Sequence, residues 1–92
     1  MPPKTIKMAL VDMMENLTSD NFERFCHDLL DRREEPQVRR NRVEGRSRLQ
    51  VVDVLVSTFT EPVAVQVSVG ILRQIHLNEE AERLVRMTTG GH

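Results

Sequence analysis

The apolar positions in the first third of the chain recur every three or four residues, which is the spacing of one helix face. They form two stripes, Ile6, Leu10, Met13, Met14, Leu17 and then Phe22, Phe25, Cys26, Leu29, Leu30. Thr18, between the stripes, is a residue type that caps helix N-termini. The pattern predicts two amphipathic helices, the first over residues 6–17. It also predicts that Cys26 is a small core residue and not a nucleophile.

The segment 32–46 has no sustained apolar period. Its Glu35-Pro36 step opposes helix continuation, because proline disfavours the helical conformation of the residue before it. Ser47 and Gln50 then have the spacing of a capping box at a helix N-terminus. We therefore predict a long loop over 32–46, with at most one helical turn at 39–44, followed by a helix.

The valine-rich stretch that follows allows two structures. Residues 63–69 alternate between apolar and polar positions, and with the preceding run around Thr60-Glu61-Pro62 they could form a β-hairpin. Two helices fit equally well, with apolar stripes Leu49, Val52, Leu55, Val56, Phe59 and Val63, Val67, Ile71, Leu72, Ile75. Periodicity alone leaves both alternatives open.

The last apolar stripe predicts a final helix with Asn78 as its N-cap and Glu79 and Glu80 in its first turn. We expect one domain over residues 1–88 and a flexible tail or linker over 89–92.

The composition excludes several functions. The chain has 92 residues and one cysteine, which rules out an internal disulfide framework and a cysteine-based zinc site. Its three histidines lack metal-ligand spacing, and no glycine-rich phosphate loop is present. No apolar run is long enough for a signal peptide or membrane span. We expect a cytoplasmic protein that is not an enzyme and uses no metal or cofactor.

The charge is nearly balanced but unevenly placed. Residues 32–48 hold seven arginines against three glutamates, a local charge of +4, which leaves −5 on the rest of a chain whose total is −1. Such a charge dipole favours head-to-tail association with a complementary surface. The alternative is a small helical nucleic-acid binder whose arginines contact phosphates. The net charge and the scarcity of aromatic residues disfavour that alternative.

Three motifs resemble a known family. Leu17-Thr18 precedes Phe22-x-x-Phe25, and residues 52–56 lead to Phe59. The third motif runs from Ala64 through Ile71-Leu72-Arg73-x-Ile75-His76-Leu77 to Ala81 and Leu84. In this order and spacing, over roughly residues 6–85, they resemble the pyrin domain of the death-domain superfamily. The Asp-Arg-Arg-Glu-Glu-Pro sequence at residues 31–36 resembles fish members most. The resemblance implies an all-α, six-helix antiparallel bundle, with a long loop and short third helix around 32–46.

The resemblance also implies a function. Pyrin domains bind other pyrin domains through an acidic and a basic face and assemble inflammasomes. The state expected from the resemblance is a monomer or a salt-dependent filament. Carried over by position, the acidic face would be Asp12, Glu15 and Asp53. The basic face would be Arg24, Arg39, Arg40 and Arg42, extended by Arg32 and Arg33. The implied partner is the pyrin domain of the inflammasome adaptor or a second copy, with no nucleic acid and no membrane.

Some positions depart from the family pattern. Glu23 and Asp28 stand where the second helix of strongly polymerising members carries lysine. Arg39 replaces a proline, His76 replaces an asparagine, and Gln50 stands where an aspartate is common. We therefore expect weaker polymerisation than the adaptor shows. This favours a NOD-like receptor sensor as the parent protein, with the adaptor or an inflammatory caspase as alternatives.

Overall fold

The computed structural model describes residues 5–32 and 37–89, and every regular element within them is a helix. The helices are α1 (Ile6–Asn16), α2 (Ser19–Asp31), α3 (Arg40–Val43), α4 (Arg48–Thr58), α5 (Glu61–Gln74) and α6 (Asn78–Thr89). The six-helix prediction is confirmed, and the β-hairpin alternative is wrong. In α5 the buried residues recur at helical spacing, so tertiary packing outweighs the strand preference of valine.

Polar side chains cap the helices largely as the sequence predicts. Thr18 Oγ1 accepts a hydrogen bond from Asn21 N at 3.2 Å. Ser47 and Gln50 complete the capping box, with bonds of 3.2 and 2.9 Å. The expected cap at Asn78 is wrong by one position, because α6 already begins there and Leu77 O accepts the first helical bond, from Ala81 N.

The predicted loop contains the single helical turn expected of it. The turn is α3, which lies within the expected range 39–44. The Glu35-Pro36 step lies outside the described residues, and α2 ends before it, at Asp31. At the other end of the chain, α6 includes Thr89, and residues 90–92 are outside the described part. The division of the chain at residue 88 stays a prediction.

The core lies around α1, which packs against α4, α5 and α6. Its largest fully buried apolar side chains are Phe25, Leu10, Met13, Met14, Leu29, Leu55, Leu72, Leu84, Val51 and Val52. Val38 and Val43 hold α3 and the segment before it against this core. Two amphipathic stripes that were read from sequence, those of α1 and α2, supply the core as expected.

The valine-rich helices bury most of their predicted apolar stripes. Val52, Leu55, Phe59, Ile71 and Leu72 are buried, and Val56, Val67 and Ile75 pack against the core. The first position of each stripe is exposed, Leu49 by 57% and Val63 by 39%. The buried face also includes Val51 and Val54 in α4 and Ala64 and Ser68 in α5. Because valine recurs all round these helices, the neighbouring helices set the limits of the buried face.

The junction between α5 and α6 needs a left-handed residue. His76 has φ of 67° and follows the C-cap Ile75. Its N–H bonds Arg73 O at 3.1 Å, and Leu77 N bonds Leu72 O at 2.7 Å. These two bonds make a Schellman motif, in which glycine is the usual residue and asparagine a frequent one. The family resemblance places an asparagine here, and asparagine adopts the left-handed conformation readily. His76 adopts the same conformation at a steric cost.

Replacing His76 with glycine is expected to stabilise the domain by about 1 kcal/mol, since glycine adopts positive φ without strain. In thermal unfolding this corresponds to a rise in melting temperature of roughly 4–8 °C for a domain of this size. The matched control is Gln74→Gly, two residues earlier in the last turn of α5. There glycine should lower the melting temperature, because the position is helical. A melting temperature unchanged by His76→Gly would contradict the strain at this junction.

Candidate protein-interaction surfaces

The acids predicted to form one face lie on two adjacent helices. Asp12 and Glu15 stand three residues apart on α1, and Asp53 is on α4, which packs against α1. Glu15 and Asp53 are exposed and Asp12 is half-buried. We call these three residues the acidic surface. The predicted acids therefore lie on two helices that pack together, and their role as one contact surface stays a prediction.

Two of the acids already have partners within the chain. Lys7 Nζ lies 2.8 Å from Asp53 Oδ1, and Arg83 Nη2 lies 3.3 Å from Asp12 Oδ2. Lys7, Asp53 and Arg83 are exposed and Asp12 is partly exposed, so each pair contributes only about 0–1 kcal/mol. A cation from another molecule can replace either partner at low cost. Sequence reasoning missed both cations, because residues so distant in the chain give no local signal.

The basic side is built on the short helix α3. Arg39 is its N-cap, Arg40 and Arg42 lie within it, and all three side chains are exposed. The helix ends at Val43, and Gly45, which follows the C-cap Glu44, has φ of 73°, the left-handed conformation that stops a helix. We call these three arginines the basic surface. Their guanidinium groups are suited to bidentate contact with carboxylates.

Arg24 is on α2 and not on the helical turn that carries the other predicted arginines. It is exposed and lines a groove with His27, Asp28 and the end of α5 at residues 74–76. Asp20 and Glu23 line the adjoining groove with it. Acidic neighbours therefore offset its charge, and its place in the basic face stays a prediction.

Of the two arginines expected to extend the basic face, only Arg32 lies within the described residues. Arg32 is the C-cap of α2, is half-buried, and places its guanidinium 5.1 Å from the ring centroid of Phe59. Such a cation–π contact fixes the end of α2 on the bundle. Arg33 lies outside the described residues.

Asp53 is on the border between the two surfaces. It lines a groove together with Gln50 and Val54 of α4 and with Arg42 and Arg46. The acidic and basic surfaces therefore adjoin at α4. A partner seated over this groove would meet charges of both signs.

Arg48 is an important residue whose role sequence analysis did not find. Its Nη1 donates to the carbonyl oxygens of Met14 at 2.8 Å, Glu15 at 3.2 Å and Leu17 at 2.6 Å. Its guanidinium also lies 5.2 Å from the ring centroid of Phe22. The carbonyls at a helix C-terminus lack partners within the helix, so Arg48 caps α1 from α4. One signal was present, since the last turn of α1 has no basic residue of its own.

Neither metal ligands nor a reactive thiol stands out among the described residues. No group of three His, Cys, Asp or Glu side chains within 5–32 and 37–89 could hold a metal ion. Burial, reinforced by the charge of Glu23, raises the pKa of the Cys26 thiol to about 11. The reactive thiolate is therefore scarce at neutral pH, and Cys26 packs against the core as predicted. In the same ranges no helix is long and apolar enough to cross a membrane.

These features define a class: a six-helix bundle with a death-domain fold that exposes acidic and basic residues on different helices. The structure resembles the solution structure of the pyrin domain of human Pyrin, with a TM-score of 0.82 and 26% identity over 89% of this chain and 94% of that one. A family model for the PAAD/DAPIN/Pyrin domain matches residues 9–82. The chain belongs to the pyrin domain family, as its sequence motifs indicated.

Two curated relatives from Danio rerio are similar over nearly the whole chain. Caspase a is 44% identical over 89 residues, which are 96% of this chain and 23% of that protein. Apoptosis-associated speck-like protein containing a CARD is 37% identical over 86 residues, 92% of this chain and 42% of that protein. The chain thus spans less than half the length of either relative. Pyrin domains are homotypic protein-interaction modules and not catalytic domains, and this chain is one of them.

Proposed function

We propose that this domain recruits a second pyrin domain by apposing its acidic and basic surfaces to the complementary surfaces of the partner, and so assembles an inflammasome in the cytoplasm. The observation that carries the proposal is the separation of exposed charge by helix. Arg39, Arg40 and Arg42 project from α3, and the acids lie on α1 and α4. The partner is the pyrin domain of the inflammasome adaptor or another copy of this chain.

The contact is heterologous, because two different surfaces meet. A heterologous contact that does not close into a ring continues as an open filament. Each exposed ion pair is weak, and salt screens it over about 8–10 Å. Assembly therefore depends on many repeated contacts and should weaken as salt is raised.

The internal pairs of the acidic surface favour a partner-dependent assembly. Lys7 and Arg83 neutralise part of the acidic charge. Glu23 and Asp28 reduce the positive charge of α2. Both effects weaken the contact between two copies of this chain. We propose that the isolated domain is a monomer and that a more strongly charged partner drives the filament.

The parent protein has three candidates, a NOD-like receptor sensor, the inflammasome adaptor and an inflammatory caspase, and a specific observation favours two of them. The diluted positive charge of α2 favours a NOD-like receptor sensor. The 44% identity to caspase a favours an inflammatory caspase, and it exceeds the 37% identity to the CARD-containing relative. Sequencing the transcript downstream of codon 92 separates them: a nucleotide-binding module with leucine-rich repeats supports the sensor, and a cysteine protease domain supports the caspase.

The first experiment is negative-stain electron microscopy of the domain after cleavage from a solubility tag. It is imaged alone and with the adaptor's pyrin domain, at low and at physiological salt. We expect monomers alone and filaments on mixing, with fewer filaments at higher salt. Filaments of the domain alone would indicate self-nucleation, as in an adaptor. Monomers under every condition would overturn the assembly mechanism.

A nucleic-acid duplex serves as the comparison ligand in the same series. Arg32 and Arg48 are already engaged with Phe59 and Phe22, which leaves fewer arginines for phosphates. We expect no change in the fluorescence anisotropy of a labelled duplex at physiological salt. Salt-dependent binding would support the nucleic-acid alternative instead.

A further inference from the structure

The acidic surface also exposes two large apolar side chains. Met8 on α1 and Leu49 on α4 are each 57% exposed. Among the described residues only Val63, on α5, joins them as an exposed large hydrophobic side chain. Two of the three therefore lie on the same pair of helices as the acids, and neither contributes to the core cluster.

Helix geometry places these apolar residues beside the acids. Met8 precedes Asp12 by four residues on α1, and Leu49 precedes Asp53 by four on α4, so each pair occupies one side of its helix. The Lys7–Asp53 ion pair joins the start of α1 to the middle of α4.

The direction of the two helices fixes the rest of the arrangement. Arg48, next to Leu49, bonds the carbonyls at the end of α1, and the Lys7–Asp53 pair lies at the other end. The two helices are therefore antiparallel. Leu49 lies toward the end of α1 that carries Glu15, and Met8 lies toward Asp53. The exposed side of this helix pair thus alternates apolar and acidic positions.

Such a mixture suits a particular partner chemistry. An arginine side chain covers apolar surface with its methylene stem while its guanidinium meets a carboxylate. Exposed ion pairs contribute little by themselves, whereas a few side chains that are packed and fully desolvated at the centre of an interface, arginine among them, carry most of the affinity. The basic surface on α3 presents three arginines and no lysine.

We propose that Met8 and Leu49 are the apolar anchors of the acidic surface, and that they seat the arginine stems of the α3 surface of a second pyrin domain. This inference rests on the proposed function and adds to it. The contact is amphipathic and not purely ionic, so a fraction of the affinity survives when salt screens the charges.

The decisive variant is Met8→Glu. A purely ionic contact and a contact anchored by Met8 predict opposite changes in binding affinity for this substitution. If charge alone governs binding, an additional carboxylate beside Asp12 tightens it. If Met8 is an anchor, the substitution weakens binding in spite of the added charge. Leu49→Ala removes the second anchor without adding charge, and we expect it to weaken binding about five- to thirtyfold. Val63→Ala is the matched control, an exposed apolar truncation on α5 that should leave affinity unchanged.

Binding of each variant to the adaptor's pyrin domain, and to a second copy, is measured by sedimentation at low and at physiological salt. Thermal unfolding confirms that each variant is folded, as the exposure of both side chains leads us to expect. Weaker binding by both Met8→Glu and Leu49→Ala supports the anchors. Tighter binding by Met8→Glu, or an affinity unchanged by Leu49→Ala, overturns them. If the unsubstituted domain binds neither pyrin domain, the proposed function itself fails. The proposed contact of Met8 and Leu49 with a second pyrin domain then fails with it.

Discussion

Replacing Arg40 with glutamate is expected to abolish recruitment of a pyrin-domain partner and to leave the melting temperature of the domain unchanged. Arg40 is exposed on α3, between Arg39 and Arg42, so its reversal places a negative charge at the centre of the basic surface. Like charges across an interface cost several kcal/mol, and a loss of even about 2 kcal/mol weakens binding roughly thirtyfold. Sedimentation with the adaptor's pyrin domain measures the loss.

A complementary reversal, Glu15→Arg, removes the opposite surface and should have the same effect. Each variant then lacks the surface that the other keeps. If copies of this chain associate head to tail, neither variant self-associates, but an equimolar mixture forms a complex through its intact pair of surfaces. Arg73→Glu, an exposed reversal on α5, is the control and should bind like the unsubstituted domain. An Arg40→Glu variant that still recruits its partner would refute the assignment of the basic surface.

Replacing Arg48 with alanine is expected to produce the largest loss of stability of any charged residue in this domain. The substitution removes the donor to three carbonyls at the end of α1 and the contact with the Phe22 ring. Hydrogen bonds to charged groups contribute about 1.5–3 kcal/mol each when well shielded, and Arg48 is only partly buried. We expect a loss of about 2–3 kcal/mol in all, or roughly 10–20 °C in melting temperature.

Two further variants separate the guanidinium group from its charge. Arg48→Lys keeps the positive charge but loses the planar fork, so its melting temperature should fall between those of the alanine variant and the unsubstituted domain. Arg46→Ala removes an exposed arginine two residues away and should change stability by less than about 0.5 kcal/mol. If the Arg48→Ala and Arg46→Ala variants have the same melting temperature, Arg48 does not cap α1.

Local signals predicted much of the fold. The stripes of α1 and α2, the cap at Thr18 and the capping box at Ser47 each depend on residues within a few positions of one another. The valine-rich half could not be resolved in this way, because valine suits both a strand and a buried helix. Only the resemblance to a family chose the helices. The buried face of each was then set by packing, which leaves Leu49 and Val63 exposed.

The surfaces were less predictable than the fold for a physical reason. Composition treats the arginines of residues 32–48 as equivalent, but their roles depend on contacts made across the bundle. Arg32 and Arg48 stack on aromatic rings. The partners of Asp12 and Asp53 come from α6 and from the start of α1. The positions of Arg40 and Glu15 on exposed helix faces did follow from the sequence, and their roles in binding remain predictions.

The basic surface is presented by a single helical turn. Such a turn has few hydrogen bonds of its own and holds its shape mainly through Val38 and Val43 in the core. Segments of this kind open with little free energy and exchange their amide protons rapidly. Binding must therefore order α3 as well as pair its charges, and part of the interaction free energy offsets that loss of entropy. A variant with a stiffer α3 would bind more tightly without any additional contact. Substitutions at buried positions that hold α3, outside the interface itself, can therefore change the binding affinity of this domain.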